Sequence, residues 1–166
     1  MSELIAFIGV GNMGNPMAEN LMKAGKKVKV FDVSKKMIEK AKEKNLEVAE
    51  NINDLITKEV TTVITMLPEG KNSKEIYLGE KGIINKVSKK CLLIDCSTID
   101  IQASIDIGKK ATEQGIEMID APVSGGVMGA RKANLNIMVG GSKEGFELAL
   151  PLLKIMGKIY FMLEIL

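Results

Sequence analysis

LIAFIGVGNMGNPMAENLMKAGKKVKVFD, residues Leu4 to Asp32, is the stretch on which the reading of the fold turns. Its apolar start, Leu4 to Ile8, reads as a buried strand. The strand breaks into Gly9-x-Gly11-x-x-Gly14, an amphipathic helix follows, and a second apolar strand, Val28 to Phe31, ends on Asp32. A glycine loop alone is a weak signal. With strand, helix, strand and acid around it, the stretch forms the dinucleotide-binding βαβ pattern. Gly9 lets the chain turn out of the strand, Gly11 presents bare backbone to a pyrophosphate, and Gly14 lets the helix lie close on the strands. The first-turn N–H groups lack intrahelical partners and sit at the positive end of the helix dipole, which suits a diphosphate.

The helix, taken to begin near Met13, puts Pro16 at about its fourth position, where a missing N–H costs no intrahelical bond. Met13, Met17, Leu21 and Ala24 follow helical spacing as a sheet-facing stripe, and Gly25 closes the helix as a C-cap. Asp32 lies 18 residues after Gly14, near the spacing of an acid that grips a ribose diol. A carboxylate there favours NAD, because it repels the 2′-phosphate of NADP.

The chain has 166 residues, enough for one domain with a real core. Apolar residues make up 46%, yet no uncharged run is long enough to span a membrane. The start, MSELIAF, leads straight into the first strand with no basic region or cleavage site, so an export signal is not expected. A net charge of +2 is too small to point to nucleic acid. Cys91 and Cys96 are the only cysteines and histidine is absent, so a zinc site is not expected and a reduced cytoplasmic interior is. The lack of histidine also removes the commonest general base, so catalysis must use Lys, a carboxylate, a hydroxyl or cofactor chemistry.

Downstream, apolar strands alternate with helical patterns, which predicts a Rossmann-type α/β fold with a doubly wound, mostly parallel sheet in a single domain. Ser34 is a plausible N-cap for a helix from Lys35 to about Lys44. A short strand follows near Glu47 to Ala49, and Asn53 opens a brief helix through Ile56. Further strands are expected at Val60–Thr65, Leu92–Asp95, Glu117–Ala121 and Leu135–Val139. A helix spans about Ile101 to Gln114, and Ser142 caps a last one from Lys143 to Met156, which Pro151 should kink or split. Met66-Leu67-Pro68 leaves its strand at the carboxyl end, followed by a polar stretch from Glu69 to Ser73. That loop either borders the cofactor or is an ordinary Pro-terminated turn.

Five blocks carry a resemblance to a known family: FIGVGNMGNPMAENLMKAG, ITMLP, LLIDCSTID, DAPVSGGVMGARKANLNIMVGG and LLKIMGKIYF. In order and spacing they resemble the 3-hydroxyisobutyrate dehydrogenases, within the wider β-hydroxyacid and 6-phosphogluconate dehydrogenase group. The resemblance covers Ile5 to about Tyr160. It implies NAD-linked oxidation of 3-hydroxyisobutyrate, or a similar small β-hydroxy acid, to its semialdehyde; related members reduce tartronate semialdehyde or glyoxylate. It assigns the pyrophosphate to Gly9, Val10, Gly11, Asn12, Met13 and Gly14, and the adenosine ribose to Asp32. Met66, Leu67, Pro68 and Asn72 border the adenine-nucleotide half, and Thr98 contacts the nicotinamide end. Ser124, Gly125 and Gly126 match the substrate-binding segment, where exposed N–H groups can form an anion nest. Read without the family, those three residues are a plain loop.

The resemblance also implies a catalytic lysine in a Gly-rich turn, followed by an all-helical domain. Both are expected beyond this sequence, which reads as an NAD-binding domain over 1–160 and a short apolar tail over 161–166. No catalytic residue is therefore assigned, and room is left for a separate chain that supplies the helical domain. Lys132 and Asn136 imitate the lysine motif but sit between a loop and a strand, where one helical face does not hold both. Arg131, the only arginine, reads either as a carboxylate clamp or as a solvated loop residue. A non-catalytic dinucleotide-binding module and an inactive fragment are the alternatives to an oxidoreductase.

Overall fold

The computed structural model describes residues 3–163. The chain runs β1 (Leu4–Ile8), α1 (Gly14–Lys23), β2 (Lys27–Phe31), α2 (Lys35–Glu43), β3 (Glu47–Val48), α3 (Ile52–Leu55) and β4 (Val60–Thr65). It continues through α4 (Gly70–Leu78), a 3-10 turn (Ile83–Asn85), β5 (Leu92–Asp95), α5 (Ile101–Glu113) and β6 (Met118–Asp120). The last third holds β7 (Val123–Ser124), α6 (Gly126–Arg131), β8 (Leu135–Gly141), α7 (Lys143–Met156) and β9 (Gly157–Leu163).

The strands form one sheet in the order β3-β2-β1-β4-β5-β6-β8-β7, with β9 on β8. From β3 to β6 every neighbour is parallel. Strands buried on both faces explain the unbroken apolar runs. Ile5 and Phe7 join one core layer with Met17 and Leu21 of α1 and Leu153 of α7, while Ala6 and Ile8 join the other with Tyr77 of α4 and Ile107 of α5. Successive side chains of one strand thus serve opposite layers, as the pleat requires. Phe7 is fully buried, and such a ring cut to alanine costs about 3–5 kcal/mol.

The doubly wound expectation is met, with additions at the far end. β8 runs antiparallel to β6 and β7, and β9 adds a parallel strand outside it. β7 has two residues, too few to show an alternating pattern. β9 takes up the first three residues of the expected apolar tail.

Several local expectations need correction. Of the two outcomes expected at Pro151, a kink or a split, the split is ruled out, because α7 runs as one helix through it. Pro151 is exposed, so the Glu147 carbonyl it leaves without a donor faces water. The brief helix is capped by Asn51, not Asn53, because Asn51 Oδ1 accepts both Asn53 N–H at 2.9 Å and Asp54 N–H at 3.0 Å. Ser34 occupies the N-cap of α2, yet its hydroxyl makes no cap bond. Ala24 is exposed at the C-cap of α1, and Ala18 takes its place in the buried stripe. The polar stretch Glu69–Ser73 is already N-cap and first turns of α4, and the residues after Gly125 form α6, where a loop was expected.

Candidate functional site

The site lies along the carboxyl edge of the sheet. Register pairs Ile8 with Phe31 and with Thr65, then Thr65 with Asp95 and Asp95 with Asp120. Five strand ends therefore stand level, and at about 4.8 Å per step the row from Asp32 to Ala121 measures about 19 Å. β1 has β2 on one side and β4 on the other, which opens the crevice expected where strand order reverses.

The glycine turn fills that crevice. Gly9 has φ +91° and donates its N–H to the Phe31 carbonyl at 2.9 Å; an added Cβ would run into the Met66 carbonyl. At Gly14 a Cβ would meet the Gly9 carbonyl, so this residue lets α1 start directly over the turn. Gly11 differs: nothing lies within 4 Å of a Cβ built there. The folded chain has no need of a glycine at that position, and the open space is a cradle that a side chain would fill. Among the described residues, the N–H groups of Asn12 and Met13 have no acceptor. They point to the same anion-binding end of α1.

A cavity of about 500 Å³ runs from this turn to Asp32. Of the expected cofactor residues it brings together Gly9, Gly11, Asn12, Met13, Gly14, Asp32, Met66, Leu67, Pro68 and Asn72. Asp32 Oδ1 accepts the Ser34 N–H at 2.8 Å, which holds the carboxylate while Oδ2 has no partner among the described residues. Val10 does not join them; its side chain is fully buried in the core. Thr98, Ser124, Gly125 and Gly126 are exposed and lie outside this cavity, Thr98 in the loop after β5 and the other three from the last residue of β7 into the first of α6. Gly126 has φ +63° with open space around a built Cβ, so the turn exposes backbone there.

The sequence reading missed Phe31, Val33, Met37, Glu75 and Ile76, which also line the cavity. Two signals existed. Val33 is an apolar residue directly after the acid, and Met37 follows four positions later in the first turn of α2. Glu75 and Ile76 stand three and four positions after Asn72, on one face of α4.

Behind the cavity wall the chain buries polar groups. Asp95 Oδ1 accepts from Thr65 Oγ1 at 2.8 Å and from Ser97 N–H at 2.9 Å. The single proton of Thr65 is thus spent, so Tyr77 donates to Thr65 across 2.8 Å. Burial pushes the Asp95 carboxyl up, against hydrogen bonds from Ser97 and Thr65 that lower it. Ser73 lies near enough to lower it slightly, but Ser73 Oγ and Asp95 Oδ2 form no bond of good geometry. On the next strand Asp120 rises to about 6, through burial first and the Asp95 charge second. Burial likewise raises both free thiols, Cys91 to about 12, which makes them unreactive.

A parallel sheet, a glycine turn at its crossover and an acid at the next strand end define a dinucleotide-binding domain. The chain belongs to the family described as the NAD binding domain of 6-phosphogluconate dehydrogenase, matched over residues 4–164. It is 44% identical over 157 residues to the 3-hydroxyisobutyrate dehydrogenase of Pseudomonas aeruginosa, covering 95% of this chain and 52% of that protein. The NAD-dependent L-serine dehydrogenase of the same organism is 39% identical over 95% of this chain and 52% of its own length. A solved Mycobacterium tuberculosis 3-hydroxyisobutyrate dehydrogenase with L-serine superposes at a TM-score of 0.89 and 37% identity, over 96% of this chain and 54% of that one. The chain spans about half the length of the curated relatives it matches. No described helix is long and apolar enough to cross a membrane.

Proposed function

We propose that this chain is the NAD-binding half of a dehydrogenase acting on a short β-hydroxy acid. The observation that carries the reading is the pairing of open space at Gly11 with the half-free carboxylate of Asp32 across one cavity. In this reading the N–H groups of Asn12 and Met13 take the pyrophosphate, and Asp32 Oδ2 accepts from the adenosine ribose. The same carboxylate turns away a 2′-phosphate, so NAD is preferred over NADP. Thr98 lies toward the nicotinamide end, three strand steps from Asp32. Ser124, Gly125 and Gly126, beyond the fourth step where β7 passes into α6, hold the substrate carboxylate with a hydroxyl and exposed N–H groups.

Bound NAD supplies the hydride acceptor, a role no side chain can fill. Turnover further needs a group within hydrogen-bond reach of the substrate hydroxyl to take its proton. No lysine lines the cavity, and Lys132, the nearest in sequence to Ser124, is exposed at the C-cap of α6. We therefore assign this chain cofactor and carboxylate binding, and assign proton transfer to none of its described residues. The substrates to test are 3-hydroxyisobutyrate and L-serine, which share a primary alcohol two carbons from a carboxylate.

Calorimetry with NADH and NADPH, followed by NADH formation with each acid, tests both levels. NADH binding that exceeds NADPH binding supports the cofactor reading, and turnover extends it to a competent enzyme. Binding with no turnover leaves a dinucleotide-binding module. No heat with either nucleotide overturns the reading.

A further inference from the structure

We propose that Ser97, held by Asp95, is a positioning residue for the cofactor, fixing the Met66–Pro68 wall of the cavity against the glycine turn. The proposal rests on NAD occupying that cavity. Ser97 Oγ accepts the Leu67 N–H at 2.8 Å, and Ser97 is itself fully buried. Its own N–H is bound to Asp95 Oδ1 at 2.9 Å, and Asp95 is 1% exposed. On the other side, Met66 donates its N–H to the Ile8 carbonyl at 3.0 Å, and Leu67 Cδ2 stands 3.0 Å from where a Gly9 Cβ would be.

The segment therefore has two anchors, one on β1 and one on the loop after β5. β4 has ended at Thr65, so Leu67 lies beyond the ladder and its N–H has no strand carbonyl to meet. Pro68 follows and donates nothing. Ser97 supplies the acceptor at the one place where the wall would otherwise be loose. Buried polar groups are costly unless satisfied, so this cluster is a specific device and not filling.

NADH binding to the whole chain, measured by calorimetry, tests this together with hydrogen exchange at the Leu67 amide. Ser97→Ala is expected to weaken NADH about fivefold to tenfold, the scale of one neutral hydrogen bond. It is also expected to speed Leu67 exchange at least tenfold. Tyr77→Phe removes a hydroxyl from the same buried cluster but leaves the Ser97–Leu67 bond, so it should lower the melting temperature and keep Kd within twofold. Ser97→Cys, near in size and a weaker acceptor, should give a smaller loss of the same sign, and carries the test if the alanine variant does not fold. The proposal is overturned if Ser97→Ala or its cysteine counterpart binds as the wild type does, or if Tyr77→Phe weakens binding equally. A wild-type chain that binds no NADH overturns the cavity reading, and this proposal with it.

Discussion

Three glycines of one motif answer to three different constraints, and substitution separates them. Gly9 and Gly14 are demanded by the fold, because a Cβ at either meets a backbone carbonyl. At Gly11 nothing lies within 4 Å of a built Cβ, so in the proposed reading only the ligand demands a glycine there. Gly11→Ala should therefore keep the wild-type melting temperature within about 2 °C while losing at least tenfold in NADH affinity. Gly14→Ala should lower stability first, by the roughly 1–3 kcal/mol of an overpacked core. Equal melting points for the two variants would show that helix α1 can back away from the turn. Asp32→Ala belongs to the same scale: it should weaken NADH and narrow the preference over NADPH, read as the ratio of the two dissociation constants.

Between neighbouring elements, the side-by-side ends of β5 and β6 set a pH dependence. The Asp120 carboxyl ordinarily titrates near 3.8 and in the folded protein near 6. Between those values the folded state keeps a proton that the unfolded state has released. The contribution to stability is thus full below about pH 4 and is lost as pH rises through 6, opposite in sign to a salt-bridged carboxylate. Asp95, raised by the same burial, adds a slope of the same sign. Asp120→Asn removes the Asp120 part and relieves its repulsion on Asp95. The unfolding free energy from urea titration should rise at neutral pH, by no more than about 3 kcal/mol, and change little at pH 4. A midpoint unchanged at both pH values would mean that water reaches the pair. At the start of α7, Ser142 Oγ accepts the Gly145 N–H at 2.9 Å and donates to Glu117 Oε2 at 2.6 Å. Ser142→Ala should cost about 1 kcal/mol by the same measurement.

Across the whole molecule, the cavity joins segments that are far apart in sequence, so its ligand should stabilise the entire fold. NADH at a hundred times its dissociation constant adds about 2.7 kcal/mol. For a domain of this size that is a rise of about 5–10 °C in melting temperature. A scan with saturating NADH and no shift would mean that the cavity does not bind the nucleotide. What sequence determined was everything that depends on short spacing: the strand–turn–helix–strand unit, the acid after β2, the fully apolar strands and most of the cavity's glycine side. Those features are legible because steric and hydrogen-bond rules act between residues a few positions apart. Tertiary structure alone decided the order of the strands, the antiparallel turn-back at β7 and β8, the burial of Val10, the unbroken helix through Pro151 and the tie from Ser97 to Leu67. Each is set by which distant segment supplies a partner or a solvent face, and periodicity within one segment carries no record of its neighbours.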